Sequence, residues 1–453
     1  MKRICQLLMG LGLAAIFLAV TAGAANSLVW NGDTDQVNAD LRGVKLWPLL
    51  EEIAHKTGWH IFVEPGTDKV VDTKFKDLPS GEALKMVLGD LNFALVPQTN
   101  GPTCLYIFRT TLQNATKPVV ARKPATHVPN ELMVKLKKGA NIDALAKLVG
   151  AKVISRNDKL GIYLLQFPDA AATDAALAQL QTNPDVEAVD YNYDFDPPPP
   201  VQSLPSGATV PATPSLTLDP QSQNDPCNVL VGLIDTPIQT LPASVAPFVQ
   251  SQISVADNPG TLGSTPTHAT GMAQTIWTAM ASSSGGHTSA QILPVDVYGS
   301  SPTTTSWNVA LGIQAAVDKG ANILNLSLGS SGDSAVLDSV IQQAEAAGVL
   351  IFAAAGNQPV NTPTYPAALP GVNAVTAVQS GQLASYANYG DFIDMALPGT
   401  SVIMLGNQAY VMQGTSVSTA YATGVATGTK TSNCDGWPQI QSAMQQKFVV
   451  PAK

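Results

Sequence analysis

The sequence predicts an α/β fold in which a parallel sheet carries helices on both faces, preceded by two small α+β domains. The length of 453 residues suggests about three domains, since a domain averages roughly 150 residues. Apolar strands alternate with helical patterns through residues 225–453, which is typical of a parallel sheet. A tract rich in proline, serine and threonine at residues 196–224 precedes that region and is predicted to be a linker.

Composition excludes several classes of protein. Charged residues make up 13% and hydrophobic residues 45% of the chain, whereas a disordered chain is highly charged and poor in apolar residues. The formal net charge of −9 excludes a general nucleic-acid binder, which needs clustered basic charge. No internal repeat or heptad pattern is present, so a solenoid or a fibre is excluded as well.

The N-terminus has the pattern of a signal peptide. Lys2 and Arg3 precede an apolar run over residues 4–20, and small residues follow at 22–24, where a signal peptidase reads the chain. The alternative is a retained membrane anchor, but the run is short for a span of about 20 residues and no polar stop-transfer segment follows it. We expect residues 1–24 to be removed and the mature protein to be exported, to the periplasm or the cell exterior, without a membrane span.

Export permits disulfide bonds between the cysteines that remain. Cys227 and Cys434 lie near the two ends of residues 225–453 and are candidates for a disulfide that joins those ends. Cys104 is predicted to be a small buried residue in a strand. No Cys/His spacing typical of a metal site is present, so we expect no cofactor, and calcium binding is left open.

Residues 28–112 are predicted to form one small α+β domain. The predicted elements are helices from Leu46 and from Ser80, and strands at 36–41, 59–63, 70–78, 93–97 and 105–108. The segments "LRGVKLWPLLEEIAHKTGWHIFVEPG" and "FKDLPSGEALKMVLGDLNF" resemble the short N-terminal domain of secretins and TonB-dependent receptors. The resemblance implies a partner protein in the cell envelope. His55 and His60 are interpreted as ordinary surface or packing residues.

Residues 129–195 are predicted to form a second small domain with a βαββαβ order. Its predicted elements are strands at 131–136, 153–156, 162–167 and 186–193, a helix capped by Asn141 and a helix around 175–180. The segments "VPNELMVKLKKGANIDALAKLVGAKVISR", "YLLQFPD" and "NPDVEAVDYNY" resemble the inhibitor-like propeptide of subtilases. The domain directly ahead of residues 225–453 is therefore interpreted as a propeptide.

The third domain, residues 225–453, is predicted to contain the functional site. Its predicted strands are 229–234, 292–297, 323–328 and 349–354, with helices at 307–317 and 335–347 between them. In a parallel sheet of this kind the active groups lie just past the carboxyl ends of the strands. Polar residues at those positions are therefore the first candidates.

Asp235 and His268 are two of these candidates. Asp235 ends the strand predicted at 229–234, where a half-buried carboxylate needs a partner; alternatively it is a turn or capping residue. His268 starts a helical run, where the helix dipole disfavours the charged ring and so favours the neutral imidazole that a general base requires. A single histidine is more often structural, and His287 is predicted to lie in a surface loop.

Ser416 and Asn357 are the other two. Ser416 is predicted to begin a helix after Gly414, so that free backbone N–H groups face any nearby oxyanion; alternatively it is an N-cap serine. Asn357 closes the run "VLIFAAAGN" and could supply a side-chain donor, or it could form a turn.

The order Asp235, His268, Asn357, Ser416 resembles that of the subtilisin-like serine peptidases. The resemblance extends through the segments "VLVGLIDTPI", "HATGMAQTI", "QILPVDVYG", "ILNLSLGSS", "AAAGN", "TYPAALPGVNAVTAV" and "GTSVSTAYATG", which occur in order and cover nearly all of residues 228–430. The resemblance implies a serine endopeptidase that is made as a self-inhibited precursor and acts on polypeptides.

The resemblance also implies a role for each residue. Ser416 attacks the peptide carbonyl, His268 transfers the proton to the leaving amine, and Asp235 orients the ring. The Asn357 side chain and the Ser416 backbone N–H bind the oxyanion. The segment Ser327-Leu328-Gly329 pairs with the substrate backbone as an added strand.

Five positions depart from the family pattern and leave a second interpretation open. They are Pro237, Ala269, Gly271, Gln274 and Ala420. If these changes disable catalysis, the chain is an envelope binding protein with a peptidase fold that acts through its N-terminal docking domain. The retained triad argues against this alternative, and a fluorophosphonate probe would distinguish the two.

The propeptide resemblance adds a regulatory hypothesis. The chain beyond Phe195 threads the cleft as a slow substrate, and cleavage within residues 195–225 releases the enzyme.

Overall fold

A computed structural model describes residues 27–31, 34–98, 101–119, 125–205, 214–220, 227–256 and 262–451. The chain divides into two compact units, residues 1–122 and 123–453. The predicted signal peptide and parts of the predicted linker lie outside the described residues. Within the ranges described, no helix is long and apolar enough to cross a bilayer.

The described part of the first unit contains two small sheets and two α-helices. Its elements are β1 (Ser27–Asn31), β2 (Gln36–Lys45), α1 (Leu46–Thr57), β3 (His60–Val63), β4 (Val70–Leu78), α2 (Ser80–Leu88), β5 (Asn92–Gln98), β6 (Gly101–Phe108) and β7 (Lys117–Val119). One sheet has the order β1-β2-β4 and the other β5-β6-β3-β7. Both helices bury the apolar face that recurs every three to four residues, as at Leu49, Leu50 and Ile53 in α1.

The prediction that Cys104 is buried is wrong. Cys104 is a free, partly exposed cysteine in β6. Side chains alternate between the two faces of a strand, and Leu105 and Ile107 occupy the core face of β6, so Cys104 lies on the other face. His55 and His60 are both exposed.

The second unit starts with a βαββαβ domain. Its elements are β8 (His127–Leu136), α3 (Ile142–Val149), β9 (Lys152–Asn157), β10 (Ile162–Gln166), α4 (Ala170–Leu180) and β11 (Val186–Phe195). These strands form an antiparallel sheet in the order β11-β8-β10-β9. As the sequence predicts, Asn141 caps α3, because its side chain accepts from the N–H groups of Asp143 and Ala144.

A mixed sheet of eight strands, mostly parallel, is the centre of the second unit. The remaining elements of the chain are β12 (Gln202–Ser203), β13 (Thr217–Leu218), β14 (Leu230–Asp235), β15 (Ile253–Ser254), α5 (His268–Ser283), β16 (His287–Thr288), β17 (Gln291–Asp296), β18 (Thr304–Thr305), α6 (Ser306–Asp318), β19 (Ile323–Leu326), α7 (Ala335–Ala346), β20 (Leu350–Ala354), β21 (Val372–Gln379), β22 (Gln382–Leu383), β23 (Met395–Pro398), β24 (Thr400–Leu405), β25 (Gln408–Gln413), α8 (Thr415–Asn433) and α9 (Trp437–Lys447). The order is β15-β17-β14-β19-β20-β21-β22, with β23 beside β21. All its pairs are parallel except β21 with β22.

Helices cover both faces of this sheet, as the sequence predicts. One apolar cluster joins α6 and α7 to residues such as Ile234 and Leu326, and the other joins α5 and α8 to residues such as Leu233. α5 and α8 approach closely at Gly424, where a Cβ atom would collide with the carbonyl oxygen of Ile276. Glycine at this position therefore sets the distance between the two helices that carry site residues.

The ends of this region are tied together. Cys227, ahead of β14, and Cys434, which follows α8, form a disulfide with their Cα atoms 4.8 Å apart.

The prediction that His287 lies in a loop is wrong: His287 is exposed but belongs to β16, which pairs with β13 of the linker. Two-residue pairing with a segment about 70 positions away leaves no local pattern in the sequence.

Candidate active site

Asp235 lies at the carboxyl end of β14, between β17 and β19. The apolar residues of β14 bury this strand on both faces, so the side chain of Asp235 is only 2% exposed. Its Oδ1 accepts a hydrogen bond from the backbone N–H of Thr236 at 2.7 Å. A buried carboxylate requires hydrogen-bond donors, and the second donor to Asp235 is a histidine.

His268 is the first residue of α5 and is also buried. The N-cap Thr267 accepts from the N–H of Thr270 and so fixes where the helix begins. His268 Nδ1 lies 2.9 Å from both carboxylate oxygens of Asp235. Because a carboxylate accepts hydrogen bonds, Nδ1 carries the proton and Nε2 is the basic nitrogen of the neutral ring.

Ser416 lies in the first turn of α8 and is 4% exposed. Gly414 precedes the helix with φ of 152°, a conformation that favours glycine. The Ser416 hydroxyl donates to the carbonyl oxygen of Ser327 at 3.2 Å. Among the described residues, its hydrogen-bond partner is this carbonyl and not the ring of His268.

The Ser416 segment is held by a buried chain of hydrogen bonds. Thr423 Oγ1 donates to Asn325 Oδ1 at 3.0 Å, and Asn325 Nδ2 donates to Ser327 Oγ at 2.8 Å. Ser327 Oγ then donates to the backbone carbonyl of Ser416 at 3.0 Å. This chain ties α8 to the segment that follows β19.

Asn357 follows β20 and contacts the residue before Ser416. Its Oδ1 accepts from the backbone N–H of Thr415 at 2.9 Å and from the Thr415 hydroxyl at 3.2 Å. These bonds fix the amide with its oxygen toward Thr415, so that Nδ2 points away from it. The Ser416 N–H, in the first helical turn, has no acceptor within the helix. A Cβ atom on Gly414, two residues before Ser416, would lie 3.3 Å from Asn357 Nδ2.

Asn388 brackets Asn357 from both sides, and no local signal in the sequence identifies it. The backbone N–H of Asn388 donates to Gly356 O at 3.0 Å, and its Oδ1 accepts from the Gln358 N–H at 2.8 Å. Its Nδ2 donates to Thr364 Oγ1 at 3.0 Å. Asn388 is only 2% exposed, so these bonds position the loop that carries Asn357.

Several departures from the family pattern have partners within this chain. The side-chain amide of Gln274 donates to the carbonyl of Met404 at 2.8 Å and accepts from the N–H of Met404 at 2.9 Å. A Cβ atom on Gly271 would collide with the sulfur of Met412. The Ala269 N–H donates to Thr236 Oγ1 at 2.9 Å. These contacts join α5 to β24, to β25 and to the turn after Asp235.

A pocket of about 260 Å³ opens beside His268. Thr236, Thr267, Tyr298 and Gly299 contribute to its walls. Burial raises the pKa of Tyr298 above its usual range, so the phenol stays neutral. Within the described ranges, no group of three or more acidic, cysteine or histidine residues is placed to hold a metal ion.

The βαββαβ domain contacts the two helices on one face of the large sheet. Asn192 Oδ1 accepts from the backbone N–H of Trp307 at 3.0 Å, at the start of α6. Asp190 Oδ2 accepts from the N–H of Val336 at 3.0 Å, in the first turn of α7. Burial nevertheless raises the pKa of Asp190 to about 6, with a smaller contribution from the charge of Asp333.

Comparisons with known proteins agree with this fold. Residues 227–449 match the Subtilase family model, and residues 113–192 match the Fervidolysin N-terminal prodomain. A thermostable alkaline protease of Halalkalibacterium halodurans is 33% identical over 270 residues, which is 57% of this chain and 70% of that protein. Subtilisin Savinase of Lederbergia lenta is 33% identical over 223 residues, covering 47% of this chain and 80% of that protein.

One solved structure shows the same fold. It is fervidolysin from Fervidobacterium pennivorans, described as a keratinolytic enzyme related to subtilisin, with a TM-score of 0.51 and 17% identity. The match covers 68% of this chain and 55% of fervidolysin.

Fold and relatives together define a subtilisin-like serine endopeptidase preceded by a prodomain. The chain belongs to the subtilase family. From here on, residues 127–195 are called the prodomain.

Proposed function

We propose that Asp235, His268 and Ser416 hydrolyse peptide bonds by acyl transfer. The Ser416 oxygen bonds to the substrate carbonyl carbon while its proton passes to His268 Nε2, and that proton then goes to the leaving amine. Water, deprotonated by the same nitrogen, hydrolyses the acyl-enzyme and restores Ser416. The observation that carries the proposal is the buried Asp235–His268 pair, with Nδ1 2.9 Å from both carboxylate oxygens.

The proposal also assigns the oxyanion and substrate contacts. Asn357 Nδ2 and the Ser416 N–H receive the oxyanion; the bond from the Thr415 N–H to Asn357 Oδ1 occupies the amide oxygen and leaves Nδ2 as the donor. The segment Ser327-Leu328-Gly329 presents backbone groups to an extended substrate. Substrates are therefore polypeptides in extended conformation.

A fluorophosphonate probe tests the nucleophile. The processed wild type should be labelled on Ser416, and Ser416→Ala should not react. Ser432→Ala is the matched control, because Ser432 is an exposed serine of the same helix, and it should be labelled like the wild type. If the wild type takes no label after processing, the binding-protein alternative replaces the enzyme.

Export and docking complete the proposal. The N-terminal pattern supports removal of residues 1–24 and export, which the intact mass of the protein purified from its host tests. The resemblance of residues 28–112 to a secretin-type N-terminal domain, together with its separate core, supports docking to an envelope protein. A photo-cross-linker at the exposed Met86 should capture that protein in cells, whereas one at exposed Leu148 of the prodomain should not.

A further inference from the structure

The chain that leaves the prodomain runs antiparallel to the segment after β19. Three contacts show this direction: Tyr193 packs on Gly332, the Asp194 carbonyl accepts from Ser330 Oγ at 2.7 Å, and the Asp196 N–H donates to the Gly329 carbonyl at 3.1 Å. In an antiparallel pair, two steps forward on one strand match two steps back on the other. Pro198 therefore lies opposite Ser327.

A second pairing fixes the same chain on the far side of Ser416. Gln202 pairs with Val411 and Ser203 with Tyr410 in the antiparallel β12–β25 ladder, and the Leu204 N–H donates to the Ala409 carbonyl at 2.9 Å. Followed backwards, this register places Pro199 opposite Gly414. Pro199 does lie beside Gly414, because a Cβ atom on Gly414 would be 3.4 Å from Pro199 Cγ.

The two strand pairings converge on one peptide bond of the linker. Pro198 faces Ser327 and Pro199 faces Gly414, and the Ser416 hydroxyl bonds the Ser327 carbonyl between them. The peptide bond presented to Ser416 is therefore Pro198–Pro199, in the middle of the run from Pro197 to Pro200.

Proline removes what hydrolysis at this bond needs. Pro198 has no N–H to donate to the Ser327 carbonyl, and that carbonyl instead accepts from the Ser416 hydroxyl, which is thereby turned from His268. The leaving nitrogen would belong to Pro199, whose ring carbon takes the place of the amide hydrogen next to the lone pair that must receive the proton from His268. A polyproline segment is also extended before it binds, so little conformational entropy is lost in the cleft.

We propose that residues 194–204 bind across Ser416 as a cleavage-resistant pseudosubstrate, held at both ends by strand pairing and blocked in the middle by proline. This rests on the proposed peptidase function. The linker is thus not a slow substrate of its own cleft at this bond. Processing is intermolecular, by a second molecule that cuts a bond outside the occupied cleft.

A double variant, Pro198→Ala with Pro199→Ser, tests the proposal. It should split itself between residues 198 and 199 with a rate independent of protein concentration. The wild type should stay intact at this bond and be processed elsewhere, faster at higher concentration. Pro205→Ala, beyond the paired segment and exposed, is the control and should behave as the wild type. Intact mass and N-terminal sequencing measure all three.

Two results would overturn the proposal: a cut at Pro198–Pro199 in the wild type, or a double variant that labels with fluorophosphonate after processing yet never splits at 198–199. If no variant takes the label, the peptidase function fails instead. The register is then tested in Ser416→Ala by the pair Gln202→Cys and Val411→Cys, which should form a disulfide; failure to form it would reject the pseudosubstrate.

Discussion

The active site and the prodomain interface each contain a buried carboxylate, but the hydrogen-bond partners of the two carboxylates differ. Asp235, at the end of β14, has the Thr236 N–H and the ring of His268, the first residue of α5, as partners. Asp190 receives the N–H of Val336 and the hydroxyl of Ser334, yet burial still raises its pKa to about 6. The first arrangement is suited to a permanent site, and the second to a contact that must later be released.

Asp235→Asn, in the active site, should have the largest effect of these substitutions. The amide would favour the wrong His268 tautomer, so kcat should fall on the order of 10⁴-fold. Peptide hydrolysis by the processed enzyme measures this. Asp338→Asn, at a partly buried position of α7 whose Oδ2 accepts from Gln342, is the control, and comparable activity in the two variants would contradict the assigned role of Asp235.

Asn388→Ala should have a smaller effect, also within the site. The change leaves the Gln358 N–H without its acceptor and loosens Asn357, so kcat should fall about 10–10²-fold while KM changes little. Asn388→Asp keeps an oxygen for Gln358 and should recover part of the loss. A variant with a lower melting temperature but unchanged kcat would show that Asn388 is merely structural.

Gly332→Ala tests the contact between the prodomain and the segment after β19. A Cβ atom on Gly332 would collide with the Tyr193 ring, and overpacking of this kind costs about 1–3 kcal/mol. The prodomain of the processed protein should dissociate more readily, as measured by calorimetric titration, while kcat of the free enzyme is unchanged. Gly263→Ala, with open space around it, should change neither quantity, and equal prodomain affinity in the two variants would contradict the contact.

Asp190→Asn should have the smallest effect, and one that depends on pH. The pKa of Asp190 is raised in the complex, so its contribution to prodomain binding is fully present below the ordinary pKa near 4 and is lost as pH rises through about 6. Asp190→Asn should make the prodomain affinity less dependent on pH between pH 4 and 7. An unchanged pH dependence would contradict this assignment.

Local patterns predicted the elements and the candidate residues. The strand predicted at 70–78 has the bounds of β4, and the N-cap signal at Asn141 predicted the start of α3. The order of Asp235, His268, Asn357 and Ser416 predicted one site because it resembles that of the subtilisin-like serine peptidases.

What the sequence did not predict depends on pairings between distant segments. Asn388 contacts Gln358, which is 30 positions earlier in the chain. His287 belongs to a strand because it pairs with β13, about 70 positions earlier in the chain. The register of the linker depends on two pairings, at Gly329 and at Val411, neither of which has a local signal. The run of prolines was visible, but its position opposite Ser416 was not.

The rate of fluorophosphonate labelling before and after linker processing tests the central claim most directly. The account predicts slow labelling of the intact chain, where the Ser416 hydroxyl bonds Ser327 beneath the proline run, and fast labelling at Ser416 once the prodomain has left. Equal rates in the two forms, or a label on any other residue, would contradict it.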